Sequence, residues 1–168
     1  IYSRGQKTKD FLKECDVVFI LSYVGQFLGN EDIEFIKTIL PTEGVQKAII
    51  VGSKFDSGLL DYKERETTFE KALRNSFINF SSHAKLTLKK MQENSEDFNI
   101  LRDLQKSVDK GESPIFISSL LYTCAKKLEN NQLLSDEENN IINRMKSRFS
   151  GFEATSEFLL ELANIDNI

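Results

Sequence analysis

Val45-Gln-Lys-Ala-Ile-Ile-Val-Gly-Ser-Lys-Phe-Asp56 is a short apolar run that breaks off into the polar tetrapeptide Ser53-Lys54-Phe55-Asp56. Ala48-Ile49-Ile50-Val51 has no polar alternation and is dominated by β-branched residues, the pattern of a strand buried on both faces, as in a parallel sheet. Gly52 lets the chain turn, and the tetrapeptide falls at the carboxyl end of the strand, where open α/β sheets bind their ligands. A carboxylate held there can accept two parallel N–H bonds from a planar base that carries a ring N–H beside an exocyclic amine. Guanine offers that pair and adenine does not. The Lys54 stem can lie along such a base while its ammonium reaches back to a loop.

Asp16-Val-Val-Phe-Ile-Leu-Ser22 is a second uninterrupted apolar run, again expected to be a strand buried on both faces. Ahead of it, Ile1 to Lys7 reads as an exposed lead-in, and Thr8 as the cap of a short helix, Lys9 to Glu14, with Phe11 and Leu12 facing the sheet. A loop from Tyr23 to Asn30 contains Gly25 and Gly29. Glu31 to Leu40 then carries Ile33, Ile36 and Leu40 at helical spacing, and Pro41 stops it. Strand, helix, strand in this order predicts one right-handed crossover with a parallel pair.

Beyond Asp56 the chain is mostly helical. Ser57-Gly58 is expected to turn it, and a long helix follows from about Arg65 to Gln92, its stripe formed by Phe69, Ala72, Leu73, Phe77, Phe80, Ala84, Leu88 and Met91. Phe98, Leu101, Leu104 and Val108 form a second stripe, and the two pair as an antiparallel helical hairpin. His83, the single histidine, has no visible catalytic partner and reads as solvated or capping. Gly111-Glu-Ser-Pro114 launches a third strand, Ile115-Phe-Ile117, which ends in Ser118-Ser119. Leu121, Cys124, Ala125 and Leu128 follow at helical spacing. Ser135 with Glu138 makes a capping box for a helix facing inward through Ile141, Ile142, Met145 and Phe149. After Gly151 a last helix, Phe152 to Ile165, is expected to turn Ala154, Phe158, Leu162 and Ile165 inward.

The 168 residues are 40% hydrophobic and 29% charged, which suits a globular domain with a real core. A net charge of −4 with both signs interspersed argues against a nucleic-acid-binding surface. Cys15 and Cys124 lack metal-ligand spacing and read as small hydrophobes in a reducing cytosol. No apolar stretch approaches the roughly 20 residues that span a bilayer. The sequence opens at Ile1 without a signal peptide, and we expect it to be a piece of a longer protein.

Ser53-Lys54-Phe55-Asp56 resembles the guanine-specificity motif of P-loop GTPases, Asn/Thr-Lys-x-Asp, with Ser in the first place. Asn there braces neighbouring loops through an amide that Ser53 replaces only in part. Phe116-Ile-Ser118-Ser119, at the end of the next strand, is similar to the Ser-Ala element of the same family, in which a small residue lets a backbone N–H approach the guanine carbonyl. The stretch from Thr8 to Ile36 looks like the segment after switch II in dynamin-like GTPases. The helical insert between the two guanine motifs resembles divergent bacterial, LeoA-like members of that superfamily.

The resemblance implies an α/β fold that is part of a three-layer P-loop NTPase, with three parallel strands, an inserted helical hairpin and C-terminal helices. Residues 1–128 would be the C-terminal half of a GTPase domain, with the insert at about 65–110, and residues 129–168 would begin a helical bundle or stalk. It implies GTP or GDP as ligand, bound through Ser53, Lys54, Asp56, Ser118 and Ser119. It also implies GTP hydrolysis by the parent protein, Mg²⁺ held by parts of that parent, self-association, a membrane lipid partner, and a cytoplasmic, peripherally membrane-associated location for membrane remodelling or vesicle-linked secretion. No Gly-x-x-x-x-Gly-Lys-Ser/Thr occurs in these residues, so we expect neither a catalytic nor a metal-binding residue here, and an inert fragment. The alternative is a non-enzymatic protein-interaction module with a degenerate nucleotide site, binding a partner through the stripe of residues 65–108.

Overall fold

The computed structural model describes residues 10–12, 14–38, 45, 47–61, 68–93 and 99–167. It is an α/β protein with a three-stranded parallel sheet in the order β1-β2-β3, the strands being β1 (Val17–Tyr23), β2 (Lys47–Ser53) and β3 (Ile115–Phe116). The helices are α1 (Asn30–Thr38), α2 (Phe55–Asp61), α3 (Phe69–Glu93), α4 (Asn99–Asp109), α5 (Ser119–Glu129), α6 (Asp136–Arg148) and α7 (Ser156–Ala163). The residues fall into two compact units. One comprises Ile1–Ser22, Gln26–Val51 and Phe80–Ile115, and the other Tyr23–Gly25, Gly52–Asn79 and Phe116–Ile168.

The first unit holds most of the sheet. At the centre of β2 Ile50 and Val51 are both buried, as neighbours on opposite faces must be if both faces are covered. β1 departs from the same expectation. Val18 and Ile20 are buried, but Val17, Phe19, Leu21 and Tyr23 are 42–64% exposed, so one face of the strand is uncovered. Its composition shows that both faces are apolar, and which face is covered depends on what packs there. Ile20→Ala is therefore expected to lower the unfolding free energy by about 3 kcal/mol, and Leu21→Thr to change it by less than about 0.5 kcal/mol, in urea titrations.

Phe11 is likewise 67% exposed, against the expectation that it faces the sheet, while Leu12 is buried. Successive residues of a helical turn lie about 100° apart, so a turn of residues 10–12 directs only one of the two inward. The Thr8 cap, Leu40 and Phe98 lie outside the described residues. Near the end of β1, Ser22 Oγ donates to Asp32 Oδ2 at 2.7 Å and accepts the Leu28 N–H at 2.8 Å, which ties the following loop to the first turn of α1. Gln92 Nε2 reaches the Leu101 carbonyl at 3.2 Å, and Lys85 lies 4.0 Å from Asp109, so the second half of α3 and α4 run antiparallel as a hairpin. Phe27 meets Phe80 edge to face at 5.5 Å. His83 is exposed, 3.5 Å from Thr87 Oγ1. The Ser113–Pro114 peptide is cis, and Ser113 Oγ accepts the Ile50 N–H at 3.2 Å where β3 joins β2.

The second unit is organised by aromatic rings. Phe55, Phe77 and Phe116 stack with centroids 5.0–5.4 Å apart. A separate group joins Phe69 to Phe149, Phe152 and Phe158 at 5.3–5.8 Å. The stripe of α3 includes Phe69 and Ala72, but at the next turn Ser76 is buried and Phe77 is 37% exposed, its ring turned toward Phe55. Ser57-Gly58 does not turn the chain. Both lie inside α2, whose burial of Leu59 and Leu60 outweighs the roughly 1 kcal/mol helix penalty of Gly58. Ser135 and Glu138 form the expected capping box of α6. The last helix starts later than expected, at Ser156, because Thr155 Oγ1 caps it by accepting the Phe158 N–H at 3.2 Å. Leu162 is buried as expected, together with Leu159 and Ala163; Phe158 is half-buried with its ring against Phe69 and Phe152, and Ala154 and Ile165 lie outside the helix.

Among the described residues no helix is long and apolar enough to cross a membrane.

Candidate functional site

The site residues lie in the second unit, where β2 and β3 end. Lys54 takes φ +55°, a left-handed conformation that turns the chain directly from β2 into α2. The two strand ends are then locked together. Ile117 N–H donates to the Gly52 carbonyl at 2.8 Å, and Phe55 N–H donates to the Ile117 carbonyl at 3.0 Å. Those bonds bring the loops carrying Asp56 and Ser118 side by side, 62 residues apart in sequence. Ser118 N–H donates to the Ala163 carbonyl at 3.1 Å, and Asn164 Nδ2 to the Phe116 carbonyl at 3.1 Å, so the end of α7 buttresses the second loop.

Asp56 is 3% exposed and stands in the first turn of α2. Ser118 Oγ donates to its Oδ1 at 2.5 Å, and Ser57 Oγ lies 3.4 Å from its Oδ2. The same Ser118 oxygen accepts the Leu121 N–H at 3.2 Å, as the N-cap of α5. One hydroxyl thus both starts a helix and orients a carboxylate. A carboxylate has about four lone-pair sites, so Asp56 keeps acceptor capacity for a ligand.

Lys54, Asp56, Ser57 and Ser119 line a cavity of about 470 Å³ whose far wall includes Thr123 and, at the start of α6, Ser135, Glu137, Glu138 and Ile141. That volume is in the range of small-molecule sites. Four of the five residues proposed from the sequence meet here: Lys54, Asp56 and Ser119 line the cavity, and Ser118 acts through Asp56. Ser53 ends β2 and is not part of the lining. Sequence reasoning missed the α6 wall, because Ser135 and Glu138 signal a helix start and carry no sign of what that start faces.

The wall is held by an ion pair. Lys127 Nζ donates to both Glu138 oxygens, at 2.7 and 2.8 Å, and Ser135 N–H donates to Oε2 at 2.7 Å. The Lys127 bond first, then the Ser135 N–H, holds the Glu138 carboxyl below its ordinary range. A carboxyl depressed in the folded state contributes stability above its unfolded value and loses it as pH falls through the folded value. Glu138→Gln is expected to destabilise the protein by about 1 kcal/mol at pH 7, the difference shrinking below the ordinary carboxylate range of about pH 4, in urea titrations at both pH values. Burial, with the Glu138 carboxylate adding to it, pushes the Cys124 thiol up to about 11, so it stays a protonated core residue.

Among the described residues no group of three or more His, Cys, Asp or Glu side chains could hold a metal ion. Comparisons with protein-family models, curated proteins and solved structures gave no match.

Proposed function

We propose that the chain is the guanine-recognition portion of a dynamin-like GTPase of the bacterial, LeoA-like kind, and that its fold is part of a three-layer P-loop NTPase. The observation that carries this reading is the buried Asp56 carboxylate, oriented by Ser118 and facing a cavity that Lys54 and Ser119 also line. In this reading Asp56 accepts the ring N–H and the amine of guanine, the Lys54 stem packs along the base, and the Ser119 N–H meets the base carbonyl. Ser53 supports the end of β2. Phosphates and Mg²⁺ are held by other parts of the parent, which hydrolyses GTP, self-associates and works at a membrane surface. The absence of a phosphate cradle from these residues makes the affinity low, so the test is selectivity: GDP is expected to bind at least tenfold more tightly than ADP in calorimetric titrations at millimolar ligand. Equal binding of the two, or none of either, would overturn the assignment.

A second reading, a non-enzymatic interaction module, draws on the outer face of α3, where Leu86 is 60% exposed, and on the uncovered face of β1.

A further inference from the structure

β1 ends at Tyr23, and the chain turns through a 3₁₀ segment, Val24–Gln26. A Cβ placed on Gly25 would stand 2.5 Å from Tyr23 Cε1, 2.7 Å from Cζ and 2.8 Å from the phenol oxygen. The ring therefore lies against the Gly25 backbone, an approach open only to a residue without a side chain. Above the same ring, Lys54 Nζ sits 5.3 Å from its centroid, inside the range at which an ammonium is attracted to an aromatic face. Tyr23 is not part of the cavity lining, whereas Lys54 is.

A lysine stem has four rotatable bonds, and a free ammonium would carry it through many rotamers. Here both ends are fixed. The left-handed backbone at Lys54 sets where the stem starts, and the Tyr23 ring sets where it finishes. Between those points the stem borders the cavity beside Asp56. We propose that Tyr23, seated on Gly25, is a positioning residue for base recognition: it holds the Lys54 ammonium so that the stem presents a fixed platform to the base. This rests on the reading of Asp56 as the guanine acceptor. The phenol oxygen has no hydrogen bond among the described residues, so the aromatic face and not the hydroxyl carries the role.

The test is a double-mutant cycle on GDP affinity with Tyr23→Leu, Lys54→Met and both together, beside Tyr23→Phe and Gly25→Ala. Tyr23→Leu and Gly25→Ala are expected to weaken binding roughly three- to tenfold, and Tyr23→Phe to stay within about twofold of the parent. The double variant should bind no more weakly than Lys54→Met alone. In ligand-free protein the Lys54 ε-methylene protons should show an upfield ring-current shift that Tyr23→Leu abolishes and Tyr23→Phe keeps. Additive effects in the cycle, unaltered affinity in Tyr23→Leu, or no ring-current shift would overturn the inference while leaving the Asp56 reading intact. Failure of the parent protein itself to bind GDP would overturn both.

Discussion

Asp56→Asn is expected to exchange the preferred base. The substitution replaces one acceptor oxygen by an N–H₂ donor in a side chain of nearly the same shape, and Ser118 Oγ keeps an oxygen to bond. Guanine then presents its amine to a donor, whereas xanthine, which carries a carbonyl in that place, presents an acceptor. Sites that hydrogen-bond a buried ligand group reject a mismatched analogue by roughly 10⁴-fold. The low affinity expected without phosphate contacts will compress the measurable range, but the order of preference should still invert. The readout is paired titration with GDP and xanthosine diphosphate, with thermal melting as a control for folding. Unchanged preference in a folded variant would mean that Asp56 does not read the base.

Ser118→Ala is expected to destabilise the protein as much as the loss of a core side chain. Ser118 is fully buried, and its hydroxyl serves two groups at once, the Asp56 carboxylate at 2.5 Å and the Leu121 N–H at 3.2 Å. Removing an N-cap costs about 1 kcal/mol, and removing a bond to a buried charged group costs about 1.5–3 kcal/mol more. A loss of about 3 kcal/mol in urea unfolding at pH 7 is therefore expected. Ser118→Thr, which keeps the hydroxyl, should recover part of it. Guanine selectivity should fall alongside, because Asp56 loses the bond that orients it. A loss of less than about 1 kcal/mol would show that the short bond contributes little.

The strands, and the position of Asp56 just past the end of β2, were legible because each rests on local chemistry. β2 announces itself by Ala48 to Val51, and the abrupt change at Ser53 marks its end without reference to any other part of the chain. The capping box at Ser135 and Glu138 is equally local. What was not legible depends on neighbours distant in sequence. The apolar run of β1 is the same whether its second face is covered or not, so the exposure of Phe19 and Leu21 could not be read from it. The helix Phe55–Asp61 was hidden by Gly58, a residue that signals a turn, yet Leu59 and Leu60 are buried and hold the segment in helical form. The Ser118–Asp56 bond and the Tyr23–Lys54 contact each join the ends of different strands. No spacing rule within one segment encodes them.

In the proposed function the Asp56 carboxylate accepts the ring N–H of guanine. The most direct measurement is solution NMR of nitrogen-15-labelled GDP with the protein in excess, following the guanine imino proton. If Asp56 holds that proton, the signal should appear shifted downfield, exchange with water more slowly than in free GDP, and vanish in Asp56→Asn. An imino proton that exchanges as fast as in the free nucleotide when the protein is saturating, or one equally protected in the variant, would mean that Asp56 does not hold it.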